Sequence, residues 1–247
     1  LPGQLSAAEL VLEDGLVLVR AATGLAGPFP VSHPAYLLVE VDSATGGEPA
    51  DVLSTALSTS PDVTDAVVAA DPRRAADQWR YREAHTQAHA VGRPLKLDVS
   101  VPLGALSAFV DELASLVSAA AARAGRPDPR VVVFGHLAEG NLHVNVLGLH
   151  DQQDQPDLHD KHGQGPDEDD DETERAVADA VLRRVAELGG SISAEHGVGR
   201  AKVSWLSLSR SVADLAAMAA VKHALDPAGL FAPGVLLPAT APVRDGS

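Results

Sequence analysis

The run VVVFGHLAEGNLHVNV, Val131–Val146, constrains the fold of this chain more than any other segment. Apolar and polar residues alternate on both sides of a short Ala-Glu-Gly interruption, which is the pattern of an antiparallel hairpin. With Glu139-Gly140 as a two-residue turn, the register pairs Leu137 with Leu142 and His136 with His143. Directly opposed residues hold their Cβ atoms about 5 Å apart on one face, so the two imidazoles can reach a single ion. Val131, Val133, Leu137, Leu142, Val144 and Val146 then share the opposite, apolar face, and Asn145 falls beside His143. A lone histidine on a strand is more commonly a solvated polar group. These two differ in lying on strands that otherwise read as interior.

The remaining chain alternates strand and helix signals. Leu5–Leu10 reads as a capped helical turn and Tyr36–Val41 as a strand. Pro49–Thr59 reads as a helix with Pro near its start, and Asp65–Ala70 as a short strand. Asp71-Pro72 opens a helix expected to reach about Val91. Leu95–Val101 alternates strictly and Pro102 ends it. Helices are expected at Ala105–Arg123, Glu172–Leu188 and Ser211–Leu225. Strands that alternate are half-buried, with helices on one side. The expectation is a single α+β domain over residues 1–247, a ferredoxin-like antiparallel sheet with helices packed mainly on one face.

A second cluster, GGSISAEHGVGRAK at Gly189–Lys202, follows a helix and is punctuated by glycines. Such a backbone can aim an adjacent acid and imidazole inward. A carboxylate joining two imidazoles leaves an open coordination position, as catalytic metal sites do. Taken alone, the segment reads more readily as a helix cap followed by an ordinary Glu-His pair.

Charge and composition narrow the function. The net charge is −15, which opposes binding to nucleic acid phosphates. Much of it lies in residues 151–172, and the non-periodic stretch 151–170 reads as an acidic, mobile loop. Cysteine is absent, so thiolate sites and disulfides are excluded. That suits a reducing compartment, and a cytoplasmic location is the expectation. No stretch reads as the roughly 20 apolar residues of a membrane span.

At the two motifs the chain resembles a known family. GHLAEGNLHVNV and GGSISAEHGVGRAK look like the paired signatures of the FAD-linked oxidase C-terminal domain, found in D-2-hydroxyglutarate dehydrogenase, D-lactate dehydrogenase and the glycolate oxidase flavin subunit. The ending Lys222–Pro227, followed by Pro233–Leu236, resembles that family's closing motif. The resemblance implies that His136, His143 and Glu195 ligate a divalent metal, that His196 is the catalytic base, and that Asn145 contacts substrate. Trp79–Thr86 resembles the family's substrate helix and Leu95–Pro102 its following strand. Arg82, Thr86 and Lys96 then fall where substrate carboxylates are held. Arg82 and Thr86, four apart, are expected on one helix face.

Two departures stand out. Ala138-Glu139 replaces the usual Gly-Asp, and Ala232 and Val235 stand where Asn and Lys are common. Zinc suits two His and one carboxylate, as do manganese and iron. The implied partners are an anionic D-2-hydroxy acid, an N-terminal FAD-binding domain and an electron acceptor of unknown identity. A homodimer is compatible with this reading. No glycine-rich phosphate loop is found, so the FAD domain is expected to lie outside the chain, Leu1 reads as a cut point, and the chain alone is expected to be inactive. Two other readings stay open: a metallohydrolase using the same His/His/Glu site, and a non-catalytic metal-binding module.

Overall fold

A computed structural model describes residues 5–42, 48–69, 71–88, 93–126, 128–150 and 168–237. Five antiparallel strands form one sheet in the order β2-β1-β4-β5-β3. They are β1 (Leu5–Leu12), β2 (Ala35–Val41), β3 (Leu95–Ser100), β4 (Arg130–His136) and β5 (Asn141–Leu147). The helices are α1 (Glu13–Thr23), α2 (Pro49–Ser58), α3 (Pro72–Glu83), α4 (His85–Ala88), α5 (Leu103–Arg123), α6 (Glu168–Glu187), α7 (Leu206–Ser209) and α8 (Val212–Leu225). The chain is thus α+β. β3 and β4 flank β5 and are joined through α5, the split strand–helix–strand unit of ferredoxin-like folds.

The sheet has two unlike faces. Leu97, Val99, Val133, Leu142, Val144 and Val146 point one way into the main core, with α5 and α6 against them. Along α5 the buried residues Leu106, Phe109, Leu113, Val117, Ala120 and Ala121 recur at helical spacing. Each of the larger ones contributes about 1.5–3 kcal/mol by burial. By length and composition α5 could cross a membrane, contrary to the expectation that no such stretch exists. In the fold its apolar stripe is covered by the sheet. On the other face Val11, Leu16, Val132 and Phe134 form a smaller cluster. Gly15 lets α1 approach closely, since a Cβ there would lie 2.9 Å from His85 and Val132. Helices therefore cover one face fully and the other in part.

Several expectations need correction. Leu5–Leu10 is not a helical turn but most of β1, which hydrogen-bonds to both β2 and β4. Helix α1 follows it directly. Among residues 65–69 there is no strand; Val67 is exposed and no neighbouring strand offers a ladder. The long helix from Pro72 stops at Glu83, turns at Ala84 and resumes as α4. Residues 151–167 of the expected acidic loop lie outside the described residues, and α6 begins at Glu168, upstream of the expected start.

The hairpin register also differs. Leu137–Glu139 forms a 3₁₀ turn and Gly140 takes a left-handed φ of 67°. A four-residue connection thus replaces the two-residue turn. Phe134, not His136, pairs with His143. The shift relative to the expected pairing is even, so every side chain keeps its face. His136 and His143 still point the same way, now diagonally, with ring centroids 5.7 Å apart.

A candidate metal and substrate site

The site is built on the less covered sheet face. Register fixes its rows. Glu9 opposes His136 and Val11 opposes Phe134, Asp98 opposes His143, and Lys96 opposes Asn145. Polar groups from β1, β4, β5 and β3 thus form one patch.

The glycine-rich loop delivers the third ligand candidate. Gly189, at φ 76°, ends α6 in a left-handed cap, its N–H donating to the Ala186 carbonyl. The chain then crosses to β3, where Ser191 and Ser100 exchange backbone hydrogen bonds of 2.8 and 3.0 Å. Gly190 is needed for this passage, because a Cβ would lie 2.1 Å from the Ser100 carbonyl oxygen. The loop next wraps around Asp98. One oxygen of that carboxylate accepts the backbone N–H groups of Ala194, Glu195 and His196 at 3.1, 2.7 and 2.8 Å. The segment is both a helix cap and a device that carries Glu195 over the hairpin.

His136, His143 and Glu195 each offer one ligand atom, and these lie within 4.8 Å of one another. Glu195 Oε1 is 3.0 Å from His136 Nε2, and its Oε2 is 3.9 Å from His143 Nε2. Ligands about 2.0–2.1 Å from a tetrahedral zinc stand roughly 3.3 Å apart, so these spacings bracket what an ion requires. The backing groups fit as well. His136 Nδ1 meets Glu9 Oε1 at 2.6 Å, which turns Nε2 toward Glu195. Asp98 Oδ1 is buried without a hydrogen-bond partner among the described residues and faces His143 Nδ1 at 3.8 Å. Metal-bound histidines commonly have such a carboxylate behind them. Two histidines and one carboxylate, each histidine backed by a buried acid, suit a divalent ion.

The other site residues fall in different places. His196 is exposed and stacks on His143, with ring centroids 5.6 Å apart at 24°. Asn145 is buried, and Lys96 is exposed across the strand from it. Arg82 lies in the last turn of α3, its Nε donating to Glu9 Oε2 at 2.6 Å and its guanidinium 4.8 Å above the Phe134 ring. Its two Nη nitrogens have no partner among the described residues. Thr86 is exposed on α4. The break at Ala84 removes the continuous helix face that was expected to join it to Arg82. Glu9 and Asp98, 3% and 1% exposed, were not foreseen as parts of the site. In the closing segment Ala232 takes φ 44°, a left-handed conformation that Asn tolerates better than Ala.

Electrostatics keep the site ready for a cation. Burial lowers the His143 pKa, the Arg82 charge and His136 lower it further, and Asp98 and Glu195 only partly oppose them. Burial would raise Asp98, but the N–H donors of His196 and Glu195 and the charges of His196 and Lys202 outweigh it, leaving a net lowering. Lys202 is lowered by burial against the opposing pull of Asp98.

The His143 shift has a measurable sign. Below about pH 6.5, the ordinary imidazole value, the unfolded chain binds a proton that the fold resists. Stability is therefore retained above that pH and lost as pH falls toward the lower folded value. In metal-free protein the urea midpoint is expected to drop between pH 7.5 and 5.5, and to drop less in His143→Gln. Equal drops in both proteins would remove His143 from this account.

Comparison with known proteins agrees with the two motifs. Residues 3–236 match the family described as FAD linked oxidases, C-terminal domain. The D-2-hydroxyglutarate dehydrogenase of Xanthomonas citri pv. viticola is 36% identical over 222 residues, covering 87% of this chain and 42% of that protein. That of Stutzerimonas stutzeri is 32% identical, covering 95% of this chain and 47% of its own length. The mitochondrial enzyme of Bos taurus is 33% identical, with 96% and 40% covered. The chain thus spans less than half the length of these relatives. With residues 3–236 matched and its α+β sheet in place, the chain belongs to the family of FAD linked oxidases, C-terminal domain.

Proposed function

We propose that this chain is the metal- and substrate-binding part of an FAD-linked dehydrogenase that oxidises a D-2-hydroxy acid to the 2-oxo acid. The observation that carries the reading is the convergence of His136, His143 and Glu195 beside His196, on a sheet face that bears Lys96 and over which Arg82 reaches from α3. Zinc is the ion best suited to that donor set, with manganese or iron compatible.

His136, His143 and Glu195 would hold a divalent ion, which would supply Lewis acidity toward a substrate hydroxyl, and FAD would supply the electron acceptor. The chain's own residues do the rest. His196 takes the hydroxyl proton on an imidazole nitrogen. Arg82 offers its two Nη nitrogens as a fork to one carboxylate, while Lys96 supplies a point charge to another. Asn145, opposite Lys96 on β3 and two residues from His143 on the same face, is assigned to substrate contact in this scheme. Holding C2 in one orientation supplies proximity. Two cations favour a dicarboxylate, in line with relatives named for D-2-hydroxyglutarate; D-lactate and glycolate are the next substrates to test. Thr86 is a weaker contact in this scheme, since it sits beyond the helix break.

The test is anaerobic flavin bleaching in the complete protein by a panel of D-2-hydroxy acids, with and without a chelator. Bleaching by D-2-hydroxyglutarate that the chelator abolishes is expected. No bleaching by any member, together with metal-dependent hydrolysis of an ester or amide, would establish the metallohydrolase reading instead. Neither activity in metal-loaded protein would leave a non-catalytic metal-binding module.

A further inference from the structure

Glu9 makes two short contacts with two different functions. It lies in β1, an interior strand, and is 3% exposed. Its register partner across β1 and β4 is His136, so their meeting is set by the sheet rather than by side-chain chance. Oε1 meets His136 Nδ1 at 2.6 Å, while Oε2 accepts from Arg82 Nε at 2.6 Å. One buried carboxylate therefore holds a metal-ligand candidate and a substrate-anchor candidate, each through the atom that does not face ligand. His136 keeps Nε2 for the ion. Arg82 keeps Nη1 and Nη2 for an anion.

We propose that Glu9 is a positioning residue that couples Arg82 to His136, so that anion binding at the arginine and metal binding at the histidine strengthen each other. The proposal rests on the metal reading above. The physical route is short. An anion on the Nη nitrogens fixes the guanidinium over Phe134; the fixed guanidinium holds Oε2; the held carboxylate cannot rotate, and His136 keeps its ring plane. Breaking either contact frees Glu9 to turn and lets the His136 ring swing away from Glu195. Coupling between two such sites is typically about 5–150-fold in affinity and must be reciprocal. A purely electrostatic Arg82 would act in the opposite sense, because removing a positive charge near the ligands should strengthen cation binding.

The experiment measures zinc affinity of the protein by competition with a chromophoric chelator, with and without glutarate as an unreactive dicarboxylate. The visible spectrum of the cobalt-loaded protein is a second readout. In wild type, glutarate should tighten zinc binding several-fold. Glu9→Gln should weaken zinc binding by about 10–100-fold, the range for lost outer partners of metal ligands. It should also alter the cobalt bands and abolish the glutarate effect. Arg82→Met should weaken zinc binding as well, and the double variant should bind zinc no worse than Glu9→Gln alone.

Zinc affinity unchanged in Glu9→Gln, or effects of the two substitutions that add, would overturn the coupling while leaving the metal site intact. Should Glu9→Gln fail to fold, Arg82→Met decides: weaker zinc binding supports the coupling, and equal or tighter binding overturns it. A wild-type protein that takes up no zinc, cobalt, manganese or iron overturns the metal reading and the coupling together.

Discussion

Replacing Asp98 by alanine is expected to destabilise the chain by roughly 3–5 kcal/mol, the range for breaking a buried charged network by removing one partner, and to disperse the loop that carries Glu195. Asp98 is 1% exposed. One of its oxygens takes three consecutive backbone N–H groups, from Ala194, Glu195 and His196. Each buried donor left without an acceptor costs about 1–3 kcal/mol, although the loop can recover part of this by opening to water. Lys202 would lose its nearby counter-charge as well. Asp98→Asn keeps the shape and one carbonyl oxygen, so it should recover most of the stability while weakening support for His143. Urea unfolding measures the first effect and zinc affinity the second. An Asp98→Ala protein with an unchanged urea midpoint would mean that the loop is held by its glycine-shaped path and the Ser100–Ser191 bridge alone.

How much of this was legible from residues alone depended on the distance over which each feature acts. Alternation is local, so the strands at residues 36–41, 95–100 and 130–147 and the α+β class could be read. The face of each hairpin residue was also readable, since parity survives any even change in register. The register itself was not. Its turn is a 3₁₀ segment closed by Gly140, and an Ala-Glu-Gly sequence does not state how many residues leave the ladder. β1 was hidden because Ser6–Leu10 is rich in Ala, Glu and Leu, which are good helix formers. Pairing with strands on both sides overrides that preference. With β1 misread, Glu9 could not be placed, for its partners lie 73 and 127 residues away. Asp98 carried a fainter signal. It shares the polar face of β3 with Lys96, and a carboxylate between Leu97 and Val99 must find donors once buried. What donates to it, 96 to 98 residues later, is backbone, which no side-chain pattern announces.

On the proposed function, His196→Ala in the complete protein loaded with FAD and metal is expected to lower kcat by about 10²–10⁴, the usual contribution of a positioned general base, with metal content unchanged. Two observations separate His196 from the proposed ligands. Its ring stacks beside His143 rather than completing the converging set, and it is exposed, so a proton taken from substrate can pass on to solvent. Its position is nevertheless fixed, because its backbone N–H is held by Asp98 at 2.8 Å. A base acts in the transition state, so KM should move little. With zinc held at saturation, Arg82→Met should show the converse, a raised KM from lost carboxylate binding. Loss of metal together with kcat in His196→Ala would make His196 a ligand. An unchanged kcat would assign proton removal to another group. The kcat-against-KM split between these two variants therefore tests the proposed division of labour, in which residues 136, 143 and 195 ligate, 82 and 96 anchor, and 196 alone transfers the proton.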